Sequence, residues 1–184
     1  MQAQRWMRAA ARMAWLALLP LAVGAQTPET FPNKPVRIVV PFPPGGATDI
    51  TARVVADKLA VKWGQSVVID NKPGAGGNLG SELVAKSAPD GHTLVLGVTG
   101  SHSINTTLYK KMPYHPLSDF EPLTQATIYP NAIVVNPQVP ATNLQELIAL
   151  VKKDPARFAY GSDGNGTASH LGMEILKARS GMPL

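Results

Sequence analysis

The chain has 184 residues, a formal net charge of +5 and no cysteine. The absence of cysteine excludes a disulfide scaffold and a thiolate metal site, so the stability of the fold must come from a hydrophobic core. Arg5, Arg8 and Arg12 lie near the N-terminus, and without these three the charge falls to +2, which removes the main support for a nucleic-acid partner.

The N-terminal segment has the pattern of a secretory signal peptide. Its three arginines precede an apolar run over residues 13–23, and Val23 and Ala25 supply the small residues of a cleavage site. The apolar run is about 11 residues long, whereas a bilayer span needs roughly 20. We therefore predict export with cleavage after Ala25, a retained membrane anchor being the alternative.

A strand followed by a helix is predicted next. Residues 36–40 are rich in β-branched side chains and stop at a cluster of prolines and glycines, which is typical of a buried strand. A helix is predicted over residues 49–63, with Gly64 placed to end it. Its predicted apolar stripe consists of Ile50, Val54, Val55, Leu59 and Trp63.

The alternation of strands and helices continues through residue 98. Residues 66–70 and 93–98 are predicted strands, and a helix over about 79–87 lies between them with Asn78 as its N-cap. Strands that alternate with helices over such short spacing predict a parallel sheet with helices on its faces, which is an α/β lobe.

Beyond residue 100 the pattern indicates a second lobe. An irregular stretch over 100–122 leads to a strand-like segment at 123–136, which we interpret as the crossing between lobes. A helix is predicted from the apolar spacing of Leu144, Leu147, Ile148 and Val151, with Asn143 as N-cap and Glu146 as the N3 acid. A short strand at 158–161 and a helix at 168–179 follow.

The predicted division of the chain has three parts. Residues 1–25 are the signal peptide, 26–124 the first α/β lobe and 125–184 the start of a second α/β lobe. The chain ends where the α/β pattern requires another strand, so the second lobe is predicted to be incomplete.

Two glycine-rich turns between a predicted strand and a predicted helix share one physical design. They occupy residues 43–49 and 161–170. Glycine allows close approach of the backbone, and a helix N-terminus offers unpaired N–H groups and about half a positive charge, which suits a carboxylate or phosphate. The alternative is that both are ordinary connections, capped by Thr48 or Asp49 and by Thr167 or Ser169.

Enzymatic readings find less support. The glycines at 74–80 resemble a dinucleotide fingerprint only weakly, since no acidic residue ends the strand at Val98. No Gly-x-Ser-x-Gly elbow is present, because Tyr160 stands where its first glycine belongs. The four histidines lack the paired spacing of a metal site, so we interpret them as surface or packing residues, with His170 the possible exception: His92, His102, His115 and His170.

Several longer motifs resemble one family. The runs at 34–49, 70–78, 89–94 and 164–171 are similar to the Bug family, the substrate-binding proteins of tripartite tricarboxylate transporters. The resemblance extends over essentially the whole chain after the signal peptide. The chain departs from the family in length, because it is about half as long as family members.

The resemblance implies a two-lobed periplasmic binding protein fold, type II-like, with a small carboxylate held between the lobes. It implies a monomeric periplasmic protein that needs no cofactor or metal and is not an enzyme, with a di- or tricarboxylate or an acidic amino acid as ligand and the membrane permease subunits as partners. Two alternatives stay open: a periplasmic ligand-sensing module of the same fold, and a phosphate- or cofactor-binding α/β enzyme.

Twelve ligand-binding residues are carried over from the resemblance. In the first lobe they are Phe42, Gly46, Ala47, Thr48, Asp49, Thr99 and Ser101, and in the second lobe they are Ser162, Gly166, Thr167, Ala168 and His170. Asp49 would repel an anion, so we expect its carboxylate to cap its own helix or to meet an ammonium group of the ligand.

Overall fold

A three-stranded parallel sheet organises the first half of the residues that the computed structural model describes, 30–184. Its strands are β1 (Val36–Val40), β2 (Val67–Asn71) and β3 (Thr93–Val95), in the order β2-β1-β3. In this register Ile38 lies opposite both Ile69 and Leu94. The parallel pairing confirms the predicted α/β class, because parallel strands need crossover connections such as helices.

Five α-helices accompany the sheet in this part of the chain. They are α1 (Ala47–Trp63), α2 (Asn78–Ala85), α3 (Asn105–Leu108), α4 (Leu144–Lys153) and α5 (Ala168–Ser180). Single turns of 3₁₀-helix occupy Ala75–Gly77 and Pro155–Arg157, and a π-helical turn occupies Gly100–Ile104. The predicted helices at 49–63, 144–151 and 168–179 are therefore confirmed to within two residues at each end. Gly64 ends α1 in the left-handed conformation, as predicted.

The core lies between β1 and α1, and it corrects the predicted apolar stripe. Ala52 and Ala56 are the buried apolar residues of α1, whereas Ile50 and Val54 are 57% and 58% exposed. Small residues four apart let the helix backbone approach the sheet closely, so Ile50 and Val54 are turned towards solvent. The other predicted stripe residues are half-buried: Val55, Leu59 and Trp63. The sheet itself contributes large apolar side chains to this core, among them Ile38 and Val40.

Asn78 is not the N-cap of α2, which corrects a second expectation. The cap residue is Gly77, in the left-handed conformation. The side chain of Asn78 is buried instead, and its Oδ1 accepts hydrogen bonds from Asn105 Nδ2 at 2.7 Å and from the Tyr114 hydroxyl at 3.1 Å. Asparagine at this position is a typical N-cap, but the side-chain amide of Asn78 instead bonds to residues distant in the sequence.

Neither predicted strand beyond residue 100 forms. Residues 123–136 and 158–161 have no regular secondary structure, and within residues 30–184 no strand pairs with them. A strand is defined by its partner, because its backbone groups must bond to a neighbouring ladder. Several apolar side chains of the first segment are consequently exposed, among them Ile128 at 80% and Val134 at 87%.

Helix α4 begins as its sequence predicts. Asn143 Oδ1 accepts a hydrogen bond from the Glu146 N–H at 3.0 Å, and Glu146 Oε2 accepts from the Thr142 N–H at 2.7 Å. The first bond satisfies an N–H group that the helix leaves without a partner, and the second fixes the residue before the cap. Val151, at the end of the predicted apolar stripe, is fully buried.

The structure also bears on export. The predicted signal peptide and its cleavage site after Ala25 lie outside the described residues. Within residues 30–184, no helix combines the length and the apolar character needed to cross a membrane.

Candidate functional site

The first glycine-rich turn runs from the end of β1 to the start of α1. Its backbone is tied from behind, because Asn71 Nδ2 donates to the Phe42 carbonyl at 3.0 Å and Asp49 Oδ2 accepts from the Gly45 N–H at 2.8 Å. Gly46 is the N-cap of α1, so the next N–H groups, those of Ala47 and Thr48, have no acceptor within the helix.

Asp49 lies under this turn, with its carboxylate directed away from solvent. It is 2% exposed, and both of its oxygens are occupied: Arg53 donates to them at 2.9 and 3.0 Å, and Asn71 Nδ2 donates at 3.0 Å. These bonds, with that of Arg53 the largest and that of the Gly45 N–H next, lower the pKa of Asp49 far below its ordinary range. The carboxylate therefore stays ionised and its charge is balanced within the protein by Arg53.

The second glycine-rich turn is closed by hydroxyl groups. Thr167, the N-cap of α5, accepts a hydrogen bond from the His170 N–H at 3.3 Å and donates to the Gly164 carbonyl at 2.7 Å. Ser169 Oγ donates to Asp163 Oδ2 at 3.0 Å. The turn thus ends in a capped helix whose first N–H groups, at Ala168 and Ser169, have no acceptor within the helix.

Both turns line one cleft of about 740 Å³. This volume is within the range of small-molecule sites. The N-terminal residues Ala47 and Thr48 of α1 and Ala168 and Ser169 of α5 are among the lining residues. Eight of the twelve predicted site residues line this cleft: Phe42, Gly46, Ala47, Thr48, Thr99, Ser162, Thr167 and Ala168.

The other four predicted residues lie behind the cleft wall or beside it. Asp49 is held by Arg53, and Ser101 is fully buried with its Oγ 2.8 Å from His102 Nδ1. Gly166 is buried, and His170 lines a separate, shallower groove with Leu108, Tyr109 and Asn165. A direct ligand contact by any of the twelve residues stays a prediction.

The cleft has walls that sequence reasoning missed. Residues 124–129 and Asn131 line it, although we predicted this stretch as a strand linking two lobes. Tyr129 reaches the first turn, where its hydroxyl lies 3.3 Å from Thr48 Oγ1. The only signal in the sequence was the recurrence of hydroxyl side chains at Thr124, Thr127 and Tyr129. Further lining residues outside the predicted set are Pro43, Pro44, Thr51, Val95, Leu96, Gly97, Val98, Gly100, Asp163 and Ser169.

The charges of the cleft lining are few. Among the described residues that line it there is no lysine or arginine, and Asp163 is the one carboxylate. Its Oδ2 accepts from Ser169. An anion in this cleft would therefore be held by backbone N–H groups and hydroxyls, aided by the positive ends of two helix dipoles. No group of three or more metal-ligating side chains occurs within residues 30–184.

Comparison with known proteins gives a consistent result. The family model described as the tripartite tricarboxylate transporter family receptor matches residues 51–184. A UPF0065 protein of Bordetella pertussis is 42% identical over 171 residues, which are 93% of this chain and 52% of that protein.

Solved structures are similar over the same part of the chain. The periplasmic binding protein BugD is 36% identical, with a TM-score of 0.73, over 84% of this chain and 51% of its own. MatC from Rhodopseudomonas palustris, with bound malate, is 35% identical with a TM-score of 0.75, over 83% of this chain and 52% of its own. Rpa4515 of R. palustris, solved with adipate, is 34% identical with a TM-score of 0.70, over 83% and 51%.

The chain spans about half the length of the curated relatives and solved structures that it matches. Over the part that they share, the similarity confirms the predicted periplasmic binding protein fold.

Proposed function

Because the chain belongs to the tripartite tricarboxylate transporter receptor family, we propose that it is a periplasmic solute-binding protein whose cleft holds a small dicarboxylate. One observation carries the proposal: the N-termini of α1 and α5 both line a single cleft whose described lining has no lysine or arginine. An anion is the ligand for which such an arrangement is suited, since each helix end presents free N–H donors and a partial positive charge.

The ligand class follows from the two helix ends. A molecule with two carboxylates on a short chain offers one acidic group to each N-terminus, whereas a monocarboxylate leaves one set of donors unused. Two structural neighbours point the same way, because MatC was solved with malate and Rpa4515 with adipate. We therefore expect tighter binding of dicarboxylates than of monocarboxylates of equal length.

The remaining parts of the proposal concern the whole protein. The first lobe, 26–124, supplies the first turn, and residues 125–184 supply the second. Cleavage after Ala25 releases the protein into the periplasm, where it passes its ligand as a monomer to the membrane permease subunits. Binding and release are its activity, and the protein performs no chemical conversion of the ligand.

Calorimetry on the purified chain tests the ligand class. The panel contains malate, adipate, citrate and aspartate, with butyrate as the monocarboxylate control. At least one diacid should bind and raise the melting temperature, because a ligand that binds only the folded state stabilises it. Failure of every acid to bind a cooperatively folded chain would contradict the proposal.

Gly46→Val tests the location of the site. The space beside Gly46 is open, because an added Cβ meets no atom within 4 Å, and the residue lines the cleft. The larger side chain should enter the cleft and weaken diacid binding about tenfold or more. Because Gly46 is the N-cap of α1 and valine is a poorer cap, the melting temperature should fall slightly while the chain stays folded. Gly161→Val is the matched control, since Gly161 also has open space but is not among the residues that line the cleft. Equal affinities of the two variants would place the ligand elsewhere.

A further inference from the structure

The third glycine cluster, residues 74–80, has no part in the cleft, yet it contacts the second glycine-rich turn. A Cβ on Gly76 would come within 2.3 Å of the Asn165 carbonyl oxygen. Real Cβ atoms essentially never approach backbone oxygen so closely, so this contact requires glycine. The cluster that weakly resembled a dinucleotide fingerprint is therefore packed against another loop of the same chain.

Two more close contacts involve the same turn. A Cβ on Gly100 would lie 2.5 Å from the Gly166 carbonyl oxygen, and one on Gly166 would lie 1.9 Å from Asn105 Oδ1. Gly76 and Gly100 thus allow two backbone segments to touch, and Gly166 leaves room for the Asn105 side chain. Gly166 also has a φ of +84°, which favours glycine independently.

Hydrogen bonds join the same segments of the chain. Asn105 Nδ2 donates to the Gly76 carbonyl at 3.3 Å and to Asn78 Oδ1 at 2.7 Å. The Tyr109 hydroxyl donates to the Asn165 carbonyl at 3.2 Å, and this bond reaches the turn directly. Asn105 is fully buried, so its amide belongs to the packed interior.

We propose that Gly76, Gly100, Asn105 and Tyr109, here called the glycine seat, position the turn at residues 165–167 so that the N-terminus of α5 faces that of α1 across the cleft. The inference rests on the proposed function, because it assigns these residues to the same binding cleft. Gly76, Asn105 and Tyr109 are not among the residues that line the cleft, so they act through the turn and not by touching the ligand.

The test compares two glycines that share a backbone conformation. Gly76 and Gly64 have φ values of +62° and +63°, but an added Cβ on Gly64 meets nothing within 4 Å. Gly76→Ala and Gly64→Ala therefore introduce the same backbone strain, and only the first displaces the Asn165 carbonyl. The readout is amide hydrogen exchange by NMR at Thr167, whose N–H donates to the Gly164 carbonyl, with Ile38 in β1 as the internal reference.

Exchange at Thr167 should rise about tenfold in Gly76→Ala and stay at its normal rate in Gly64→Ala, with Ile38 unchanged relative to the control. Malate affinity should fall about tenfold in Gly76→Ala only. Equal exchange rates at Thr167 in the two variants, or faster exchange with an unchanged malate affinity, would overturn the proposal.

Tyr109→Phe is the milder second variant, because it removes only the hydroxyl that bonds to Asn165. It should raise Thr167 exchange and weaken malate binding about threefold to tenfold, and it decides the question if Gly76→Ala does not fold. The exchange measurement needs no ligand. If malate does not bind the unmodified chain, affinity is measured with a diacid of the panel that does. If no acid of the panel binds, the proposed function fails on that result, while the exchange rates still decide whether the glycine seat holds the turn.

Discussion

At the residue scale, Asp49 shows how a charged side chain next to the proposed anion site can avoid opposing an anion. Its carboxylate lies beneath the first turn and is paired with Arg53 through two hydrogen bonds. The same carboxylate accepts from the Gly45 N–H and from Asn71, so it holds the turn that leads to the cleft. The structure shows this carboxylate in a local role, because it accepts the Gly45 N–H just before α1 while the helix start itself has no side-chain cap.

The lowered pKa of Asp49 gives a pH prediction. An unfolded aspartate titrates near 3.8, and the folded group titrates lower, so its contribution to stability is fully present above about pH 4. That contribution is lost as the pH falls from about 4 towards the folded pKa. Asp49→Asn should therefore lower stability at pH 6 and show a smaller loss than the unmodified chain between pH 4 and pH 2.

Urea unfolding midpoints at pH 6, 4 and 3 provide the measurement for this prediction. Asp154→Asn is the control, because its carboxylate is exposed and its ion-pair contact with Arg157 is 4.0 Å long. An identical acid dependence of Asp49→Asn and the unmodified chain would show that the ion pair with Arg53 does not act in solution.

At the element scale, the helices and the strands β1–β3 follow from local sequence, whereas the two strands predicted beyond residue 100 do not form. Helix α4 begins at the predicted cap, and α5 begins at Thr167, one of two capping residues that the sequence offered. Helix bonds close within four residues, so local signals suffice. The segment at 123–136 has strand-like residues but no strand partner within residues 30–184, and its residues 124–129 and Asn131 line the cleft instead.

Thr167→Ala should destabilise the protein by about 1 kcal/mol, because the hydroxyl caps α5 and bonds to the Gly164 carbonyl. Diacid affinity should fall less than in Gly46→Val, since the backbone N–H groups of α5 remain. Thermal unfolding and calorimetry measure the two effects, and Thr167→Ser should restore both. A complete loss of binding with an intact fold would assign the hydroxyl itself to the ligand.

At the scale of the whole molecule, the described chain leaves much apolar surface in contact with solvent. Leu117, Leu123, Ile128 and Val134 are each more than 70% exposed. Such side chains favour self-association where they form a contiguous patch. Val151 in α4 is only 1% exposed, so the second half of the described chain contains buried as well as exposed apolar side chains.

Val134→Lys should leave the melting temperature unchanged, because the side chain is already 87% exposed, and it should reduce light scattering at high protein concentration. Val151→Lys is the contrasting variant and should destabilise the protein by about 3 kcal/mol or more, since it buries a charge. A lower melting temperature for Val134→Lys would mean that a second copy or another partner covers this side chain in solution.

Some of the lining of the candidate cleft could be predicted from sequence and some could not. Phe42, Gly46, Thr48 and Ala168 line the cleft as expected, because each belongs to a turn between a strand or extended segment and a helix. Gly166, for which a ligand contact stays a prediction, packs against Asn105, about 60 residues earlier in the chain. A glycine motif indicates that some group approaches the backbone closely, but it does not indicate whether that group is a ligand or another part of the chain.

The sequence by itself determined the parallel α/β pattern, the starts of α4 and α5 and the two glycine-rich turns, because these depend on interactions between residues close together in the chain. Only the tertiary structure decided that both turns line one cleft, that Asn78 joins a buried network and that residues 74–80 seat another loop. Those features depend on contacts between distant segments, for which the local pattern of side chains carries no signal.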